Sequence, residues 1–528
     1  MATALQILNT PAEAAQWLRS RVTAALQTDS RKVRTGDGFI AWPGASTDGR
    51  QFVSAALQNG ANACLIEQTG VEAYAFSEAA IAAYPQLKAA TGPIAAAYFE
   101  QPSRQLDVIA ITGTNGKTST AWWLAHSLSN LKQTSEIPCG LIGTLGVGRP
   151  QKLPSGVESA FDGVANGLTT PDPVILQQAF RDFVDGGIRA CAVEASSIGI
   201  EERRLDGTHI HTAVFTNFTQ DHLDYHGSMQ AYWDAKASLF QWTGLRSAVI
   251  NVDDAKGREL AASLHADKDR QALDVWTVSC KGPARLQARD ITYGDAGLHF
   301  VVVENTASGE KCHALATHLI GQYNVANLLG VIGAMRSLGV PLSACVETCR
   351  TLQPVPGRME CMGGTGQPLV AVDYAHTPDA LSHALLALRP LTQQRGGQLW
   401  CVFGCGGDRD AVKRPLMGAM AAQHSDRIIV TSDHPRSEKP QAIISQILLG
   451  LAGHGGVEVQ SDRAQAIAQA LAQAGMHDVV LVAGKGHEDY QEISGVKLPF
   501  SDRAQVGQAL QAWQAANGIS QAAVRAAS

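Results

Sequence analysis

The apolar run from Asp107 to Ile111 leads into Gly113-Thr114-Asn115-Gly116-Lys117-Thr118-Ser119, and a helical pattern, Thr120 to Leu128, follows. Glycines at two of these positions let the main chain curl so that its N–H groups surround phosphate oxygens, and a helix N-terminus adds partial positive charge. Lys117 then reaches the outer phosphates, and the Thr118 hydroxyl is placed to ligate Mg²⁺. A plain glycine-rich turn would need none of the strand, helix and Lys-Thr pair that surround it here. Two residues stand between the first glycine and the Gly-Lys pair, where the full phosphate-loop pattern has four.

Two more motifs close apolar runs: Val193-Glu194-Ala195-Ser196-Ser197, and Thr216-Asn217-Phe218-Thr219-Gln220-Asp221-His222-Leu223-Asp224. A carboxylate and an imidazole at adjacent strand ends supply a hard and a borderline ligand to a divalent ion facing the phosphates. By local pattern alone His222 reads as a structural loop histidine, and His226 likewise. Lys236, inside the helical pattern Tyr232 to Phe240, reads as an exposed salt-bridging lysine. Asn324 and Asn327, in Gly321-Gln322-Tyr323-Asn324-Val325-Ala326-Asn327, offer the paired donor and acceptor that suit a purine edge, or cap a helix.

Such residues need strands that end side by side. Short apolar runs alternate with Ala- and Leu-rich amphipathic segments, which predicts an α/β fold of mainly parallel sheets flanked by helices. Strands are expected at Asp107–Ile111, Ala190–Val193, Ala213–Thr216, Ala248–Asn251, Val370–Asp373, Leu399–Phe403, Arg427–Thr431 and Val479–Val482, with ligands beyond their carboxyl ends. At 528 residues the chain exceeds one hydrophobic core. Gln101-Pro102-Ser103 and Pro354, Pro356 and Gly357 punctuate it, predicting domains at 1–105, 106–355 and 356–528. From Asn517 the chain reads as a frayed tail.

Hydrophobic residues at 45% and charged residues at 17% predict a globular protein throughout. A net charge of −6 provides no basic field, so nucleic acid is not an expected partner. The start lacks a basic stretch leading into an apolar run, and nothing approaches membrane-spanning length, so a cytoplasmic protein without membrane insertion is expected. The ten cysteines form no Cys-x-x-Cys pair and read as reduced thiols, with Cys345 and Cys349 on one buried helical face.

The short phosphate loop, and the motifs that follow it in order, resemble the Mur ligase family over nearly the whole chain, from Asp29 to Arg503. The resemblance implies a monomeric ATP-dependent ligase that forms an amide bond through an acyl phosphate. It implies a nucleotide-sugar-binding first domain, a central P-loop ATPase-like domain and a Rossmann-like, amino-acid-binding third domain. ATP would be held by Gly113, Thr114, Asn115, Gly116, Lys117, Thr118 and Ser119, with Asn324, Asn327, Arg358, Asp373 and His376 around the nucleotide. Mg²⁺ would be held by Thr118, Glu194, His222 and Lys236, the lysine as a carbamate derived from CO₂; Lys117, Lys236 and His222 form the implied catalytic set.

Ser30, Thr169, Thr170, Ser196 and Arg204 match the family's contacts to a UDP-N-acetylmuramoyl-dipeptide, while Ile198 and Glu202 stand where His and Gln are common. Asp433-His434-Pro435-Arg436 resembles the Asp-Asn-Pro-Arg motif of members that take meso-diaminopimelate, with His434 replacing Asn. Arg409, Gly484 and Glu488 match further contacts to that amino acid. An Arg fork rewards the distal carboxylate that lysine lacks. The competing readings are a lysine-adding, D-alanyl-D-alanine-adding or folate-extending relative, and a nucleotide-dependent regulator without turnover. The last has no need of Lys117, Thr118, Glu194, His222 and Lys236 together.

Overall fold

Valine, isoleucine and alanine dominate the central strands, and such strands survive only where both sheet faces are covered. In the computed structural model, which describes residues 5–44, 47–132, 136–151, 161–164, 167–294 and 297–518, that is what the helices do. The tail read from Asn517 lies outside the described residues beyond 518.

Among the described residues three large sheets carry the chain, beside a two-stranded hairpin of Tyr490–Ile493 and Val496–Pro499. The first is a five-stranded parallel sheet in the order Gln6–Ile7, Ile81–Tyr84, Ala63–Glu67, Gly38–Ala41 and Leu26–Gln27. The second has eleven strands. Its parallel centre runs Cys139–Gly143, Ala190–Glu194, Asp107–Thr112, Thr212–Phe215, Ser247–Asn251 and Asp274–Ser279. Leu286–Gly294 adds one more strand parallel to Asp274–Ser279, and antiparallel strands then extend both edges, the larger extension being Gly297–Thr306 and Gly309–Thr317. The third sheet runs Glu360–Gly363, Leu369–Asp373, Val479–Ala483, Leu399–Phe403, Arg427–Val430 and Val457–Val459, parallel except at its first strand. All eight strands expected from the sequence are present with ends shifted by at most a residue. The extension from Leu286 to Thr317 was not anticipated.

Cys345 and Cys349 are both buried on the helix Leu342–Cys349, as a packing face requires. The first sheet's unit joins the central one by close main-chain contact. Gly92, in the helix Leu87–Tyr98, lies so near the next unit that an added Cβ would stand 2.1 Å from the Asp206 carbonyl oxygen. A Cβ at Gly207 would stand 2.7 Å from the carbonyl carbon of Gly92, and Lys88 pairs with Glu202 at 2.7 Å beside them.

In the third unit one buried arginine sets the strand ends that face the cleft. Arg463 donates through Nε and Nη2 to the two oxygens of Asp502, both at 2.7 Å, and neither side chain is exposed. The same guanidinium donates to the carbonyls of Ala483 at 2.9 Å and Ser432 at 3.3 Å, one residue before Gly484 and Asp433. Breaking one side of such a pair strands a charge away from water. Arg463→Met is expected to cost about 3–5 kcal/mol in urea unfolding, with part recovered in Arg463→Met/Asp502→Leu. A loss under about 1 kcal/mol would mean that the pair is not desolvated.

Candidate active site

The loop between the strand Asp107–Thr112 and the helix Lys117–Ser129 admits only glycine at its two ends. Gly113 has φ 148° and Gly116 φ 85°. An added Cβ would stand 1.9 Å from Thr216 Oγ1 at the first and 2.4 Å from Asn327 Oδ1 at the second. The next strand's end lashes the loop in place. Thr114 N–H donates to the Asn217 carbonyl (2.8 Å), Asn115 N–H to Asn217 Oδ1 (2.9 Å) and Thr216 Oγ1 to the Asn115 carbonyl (2.6 Å). With those two N–H groups taken, an anion would meet the first-turn N–H groups of the helix, which have no partner inside it.

Two lysines converge on this loop. Lys117 Nζ donates to the carbonyls of Gly113 and Thr114, each at 2.8 Å, and Lys236 Nζ donates to the same Gly113 carbonyl at 2.8 Å. Lys236 is 1% exposed and its Nζ lies 4.4 Å from the Tyr232 ring centre, so the exposed, salt-bridging lysine expected from local pattern is corrected. The helix Met229–Ala237 turns it inward with Tyr232 and Trp233. Burial, and then the charge of Lys117, hold the Lys236 amine well below the usual lysine range.

Acidic and neutral donors face these cations. Glu194, 1% exposed, accepts from Thr118 Oγ1 at 2.9 Å, Thr144 N at 2.8 Å and Thr144 Oγ1 at 3.2 Å. His222 has φ 53°, and its Nε2 lies 3.5 Å from Asp221 Oδ2. Its ring stands in the wall of the cleft with 41% of the side chain open. Burial against the surrounding protein, opposed by Asp221 and reinforced by Lys117, His376 and Lys236, pushes the imidazole down to about 4. A hydroxyl, a carboxylate and a neutral imidazole are a donor set that fits a hard divalent cation such as Mg²⁺.

A cavity of about 550 Å³ opens beside the loop, between the central and third units, and its walls include Asn115, Ser119, Asn324, Asn327, Arg358 and His376. Asn327 Nδ2 donates to Asn324 Oδ1 (3.0 Å), and Asn324 Nδ2 to the Ile320 carbonyl (2.7 Å). Arg358 lies over the Tyr374 ring at 4.3 Å and donates to Thr118 Oγ1 at 3.3 Å. Asp373 is buried, accepts from the N–H groups of Met359 and Ala375, and is pushed up by burial. Asp379 was missed in the sequence. Its carboxylate accepts from Asn115 Nδ2 (3.1 Å) and Thr219 Oγ1 (3.3 Å), linking the third unit to the loop, yet on the first turn after Thr377 it reads as a helix-start charge.

Thr169, Thr170, Ser196 and Arg204 cluster behind Glu194. Thr170 Oγ1 donates to the Glu194 carbonyl (2.7 Å) and lies 2.9 Å from Ser196 Oγ. Arg204 donates to the Thr170 carbonyl (3.0 Å), and Thr169 Oγ1 lies 3.2 Å from Thr144 Oγ1. Ser30 sits apart on the first unit, opening a short turn capped by Asp29.

The third unit brings Asp433, His434, Pro435, Arg436, Gly484 and Glu488 to one place. His434 Nε2 lies 2.8 Å from Glu488 Oε2. An added Cβ at Gly484 would stand 2.9 Å from Asp433 Oδ2. Arg436, at φ 51°, donates to the Gly407 carbonyl (2.6 Å) and pairs with Glu492 (3.4 Å). Arg409 and Arg436 flank Gly406, and Arg409 reaches across the cleft to Asp224 at 3.9 Å.

The position of His222 makes a direct expectation. In metal-free protein its ring should stay neutral from pH 8 down to about 5 and titrate near 4, because charging it costs hydration and is opposed by the nearby basic groups. Histidine-selective ¹⁵N NMR, with the signal assigned by its loss in His222→Gln, reads this directly; a midpoint above 6 would contradict it.

Sequence comparison places these features among known proteins. Residues 23–98 match the Mur ligase family catalytic domain, 111–335 the Mur ligase middle domain and 357–486 the Mur ligase glutamate ligase domain. The chain is 58% identical to a UDP-N-acetylmuramoyl-L-alanyl-D-glutamate--2,6-diaminopimelate ligase of Acidovorax sp. (strain JS42), over 96% of this chain and 98% of that one. It is 45% identical to the protein of the same name from Pseudomonas aeruginosa, over 94% and 96%. A solved structure with that name is 36% identical with a TM-score of 0.61, covering 92% of this chain and 94% of its own. MurF from Acinetobacter baumannii shares the fold at 17% identity and a TM-score of 0.63, over 97% and 100% of the two chains. Matched along almost its full length, this chain belongs to the Mur ligase family.

Proposed function

We propose that the chain joins meso-2,6-diaminopimelate to UDP-N-acetylmuramoyl-L-alanyl-D-glutamate, splitting ATP to ADP and phosphate, in the synthesis of peptidoglycan precursors that cell shape and division require. The observation that supports the choice of amino acid is the grouping of opposite charges along one segment: Arg409 and Arg436 around Gly406, and Asp433 and Glu488 around His434. The distal end of diaminopimelate carries a carboxylate and an ammonium group, and these residues offer a counter-charge to each. Lysine's distal end has only the ammonium, and so offers the guanidinium groups no carboxylate in exchange for Glu492 and Asp224.

In the reaction the substrate's terminal carboxylate attacks the γ-phosphorus of ATP, the bond to the β-phosphate oxygen breaks, and ADP leaves. The amine of the amino acid, having shed its ammonium proton, attacks the resulting acyl carbon; the bond from that carbon to the phosphate oxygen breaks, and phosphate departs with the nitrogen's excess proton. Lys117 and the helix N-terminus offset charge on the transferring group, while Thr170, Ser196 and Arg204 orient the acceptor carboxylate. Asn324, Asn327, Arg358 and His376 hold the nucleotide in the cavity, and Ser30 meets the uridine diphosphate on the first unit. Thr118, Glu194 and His222 would hold Mg²⁺, which when bound supplies charge neutralisation between two anions that otherwise repel.

Lys236 fits a carbamate, because burial favours the neutral amine that combines with CO₂, and the product is an anion among cations. We assign the nucleotide-sugar, ATP and amino-acid roles to residues 1–105, 106–355 and 356–528. A cytoplasmic monomer suits these substrates; among the described residues no helix is long and apolar enough to cross a membrane.

ADP release with the muramoyl-dipeptide nucleotide should require meso-diaminopimelate and discriminate strongly against L-lysine. Arg436→Ala should lose roughly thirtyfold to a thousandfold in kcat/KM, about 2–4 kcal/mol, without gaining comparable lysine activity. Equal use of L-lysine by the unaltered enzyme would overturn the specificity and leave the ligase reading in place. Lys236→Ala should abolish turnover and regain part of it with short-chain carboxylic acids; an inactive variant that no carboxylate rescues would argue against the carbamate.

A further inference from the structure

Lys485 is wholly buried, and the reaction just described gives it no task. Its Nζ lies 2.9 Å from His434 Nε2, 3.6 Å from Glu488 Oε2 and 4.0 Å from Asp433 Oδ1. His434, 5% exposed, is held from the other side: the main-chain N–H of Glu492, on the hairpin strand Tyr490–Ile493, donates to His434 Nδ1 at 2.8 Å. A nitrogen that accepts a hydrogen bond carries no proton. The ring's one proton is therefore on Nε2, where Glu488 Oε2 at 2.8 Å is the acceptor. Lys485 cannot donate to a protonated Nε2, so it faces the two carboxylates as an ion-pair partner, at 3.6 and 4.0 Å.

Asp433, His434 and Glu488 lie close enough to suggest a metal site, their ligand atoms all within 4.8 Å of one another. The ammonium of Lys485 stands 2.9 Å from one of those atoms and occupies that role. With one lysine against two carboxylates, the cluster keeps a single negative charge. Asp433 Oδ1 is buried without a hydrogen-bond partner, an acceptor turned toward an incoming donor.

We propose that Lys485 and the Glu492 main chain are positioning residues for the amino-acid pocket. They hold His434 as the neutral Nε2–H tautomer, and His434 in turn fixes the Glu488 carboxylate that receives the substrate's ammonium group. The histidine thus does the work of an asparagine side-chain N–H, a fixed neutral donor, provided that the hairpin occupies its other nitrogen. This rests on the ligase reading for the identity of the substrate and on the structure for the tautomer, and the two are tested separately.

Histidine-selective ¹⁵N NMR of the unaltered protein, with His434 assigned by signal loss in His434→Gln, should show a proton on Nε2 and none on Nδ1. A proton on Nδ1, or on both nitrogens, would overturn the proposal whatever the substrate. In steady-state kinetics Lys485→Met should raise the KM for meso-diaminopimelate by about ten- to a hundredfold, with the KM for ATP unchanged and kcat affected far less. If Lys485→Met does not fold, Lys485→Gln, which keeps a donor but not the charge, should show the same split to a smaller degree. A parallel rise in every KM, or none, would reduce Lys485 to a structural lysine. Absence of turnover with meso-diaminopimelate in the unaltered enzyme would sink the ligase reading instead, and the NMR result would stand apart from it.

Discussion

Two lysine side-chain nitrogens share one carbonyl oxygen. Lys117 and Lys236 both donate to Gly113, and an arrangement of like charges so close is stable only because the loop supplies oxygens and because Glu194 and Asp221 lie near enough to offset part of the charge. Burial presses both amines toward their neutral forms. The surrounding architecture serves this point: the strands Asp107–Thr112, Ala190–Glu194 and Thr212–Phe215 are neighbours in register, so the loop, Glu194 and the Thr216 segment end on one level. A single strand slipping by one residue would turn its terminal side chain to the opposite face.

The nucleotide wall and the amino-acid wall are continuous. Tyr374 packs against Arg358 at 4.3 Å on one side and tilts against His487 at 5.5 Å on the other, while His487 neighbours Glu488 in the chain. Across the cleft the third unit touches the central one through the side chains of Asp379, Arg358 and Arg409. Ile320 and Tyr323 of the central unit also pack against the third unit's core, with Tyr323 stacked on His383 at 6.3 Å.

The sequence made the phosphate loop and eight strands legible because parallel strands buried on both faces are continuous apolar runs ended by polar motifs. The strand pair Gly297–Thr306 and Gly309–Thr317 escaped notice although Leu298, Phe300 and Val302 alternate with more exposed neighbours, because attention to unbroken runs passes over a period of two. Lys236 was misjudged locally for a related reason. Its helix has a polar residue on nearly every side, and only the fold shows which side meets Gly113. Asp379 and Lys485 were out of reach, since their significance lies in partners more than fifty residues or a whole unit away.

The glycine contact between Gly92 and Gly207 acts as a datum. Main chain against main chain leaves no side chain that could change rotamer, so the helix Leu87–Tyr98 has little slack where it meets Gly207. Under the ligase reading, a nucleotide anchored on that first sheet and a carboxylate presented at the phosphate loop are then separated by a fixed span. The enzyme would measure its acceptor like a gauge block, by the length of what lies between the two ends: a stem one residue short would fall before the γ-phosphate, and one residue long would overrun it.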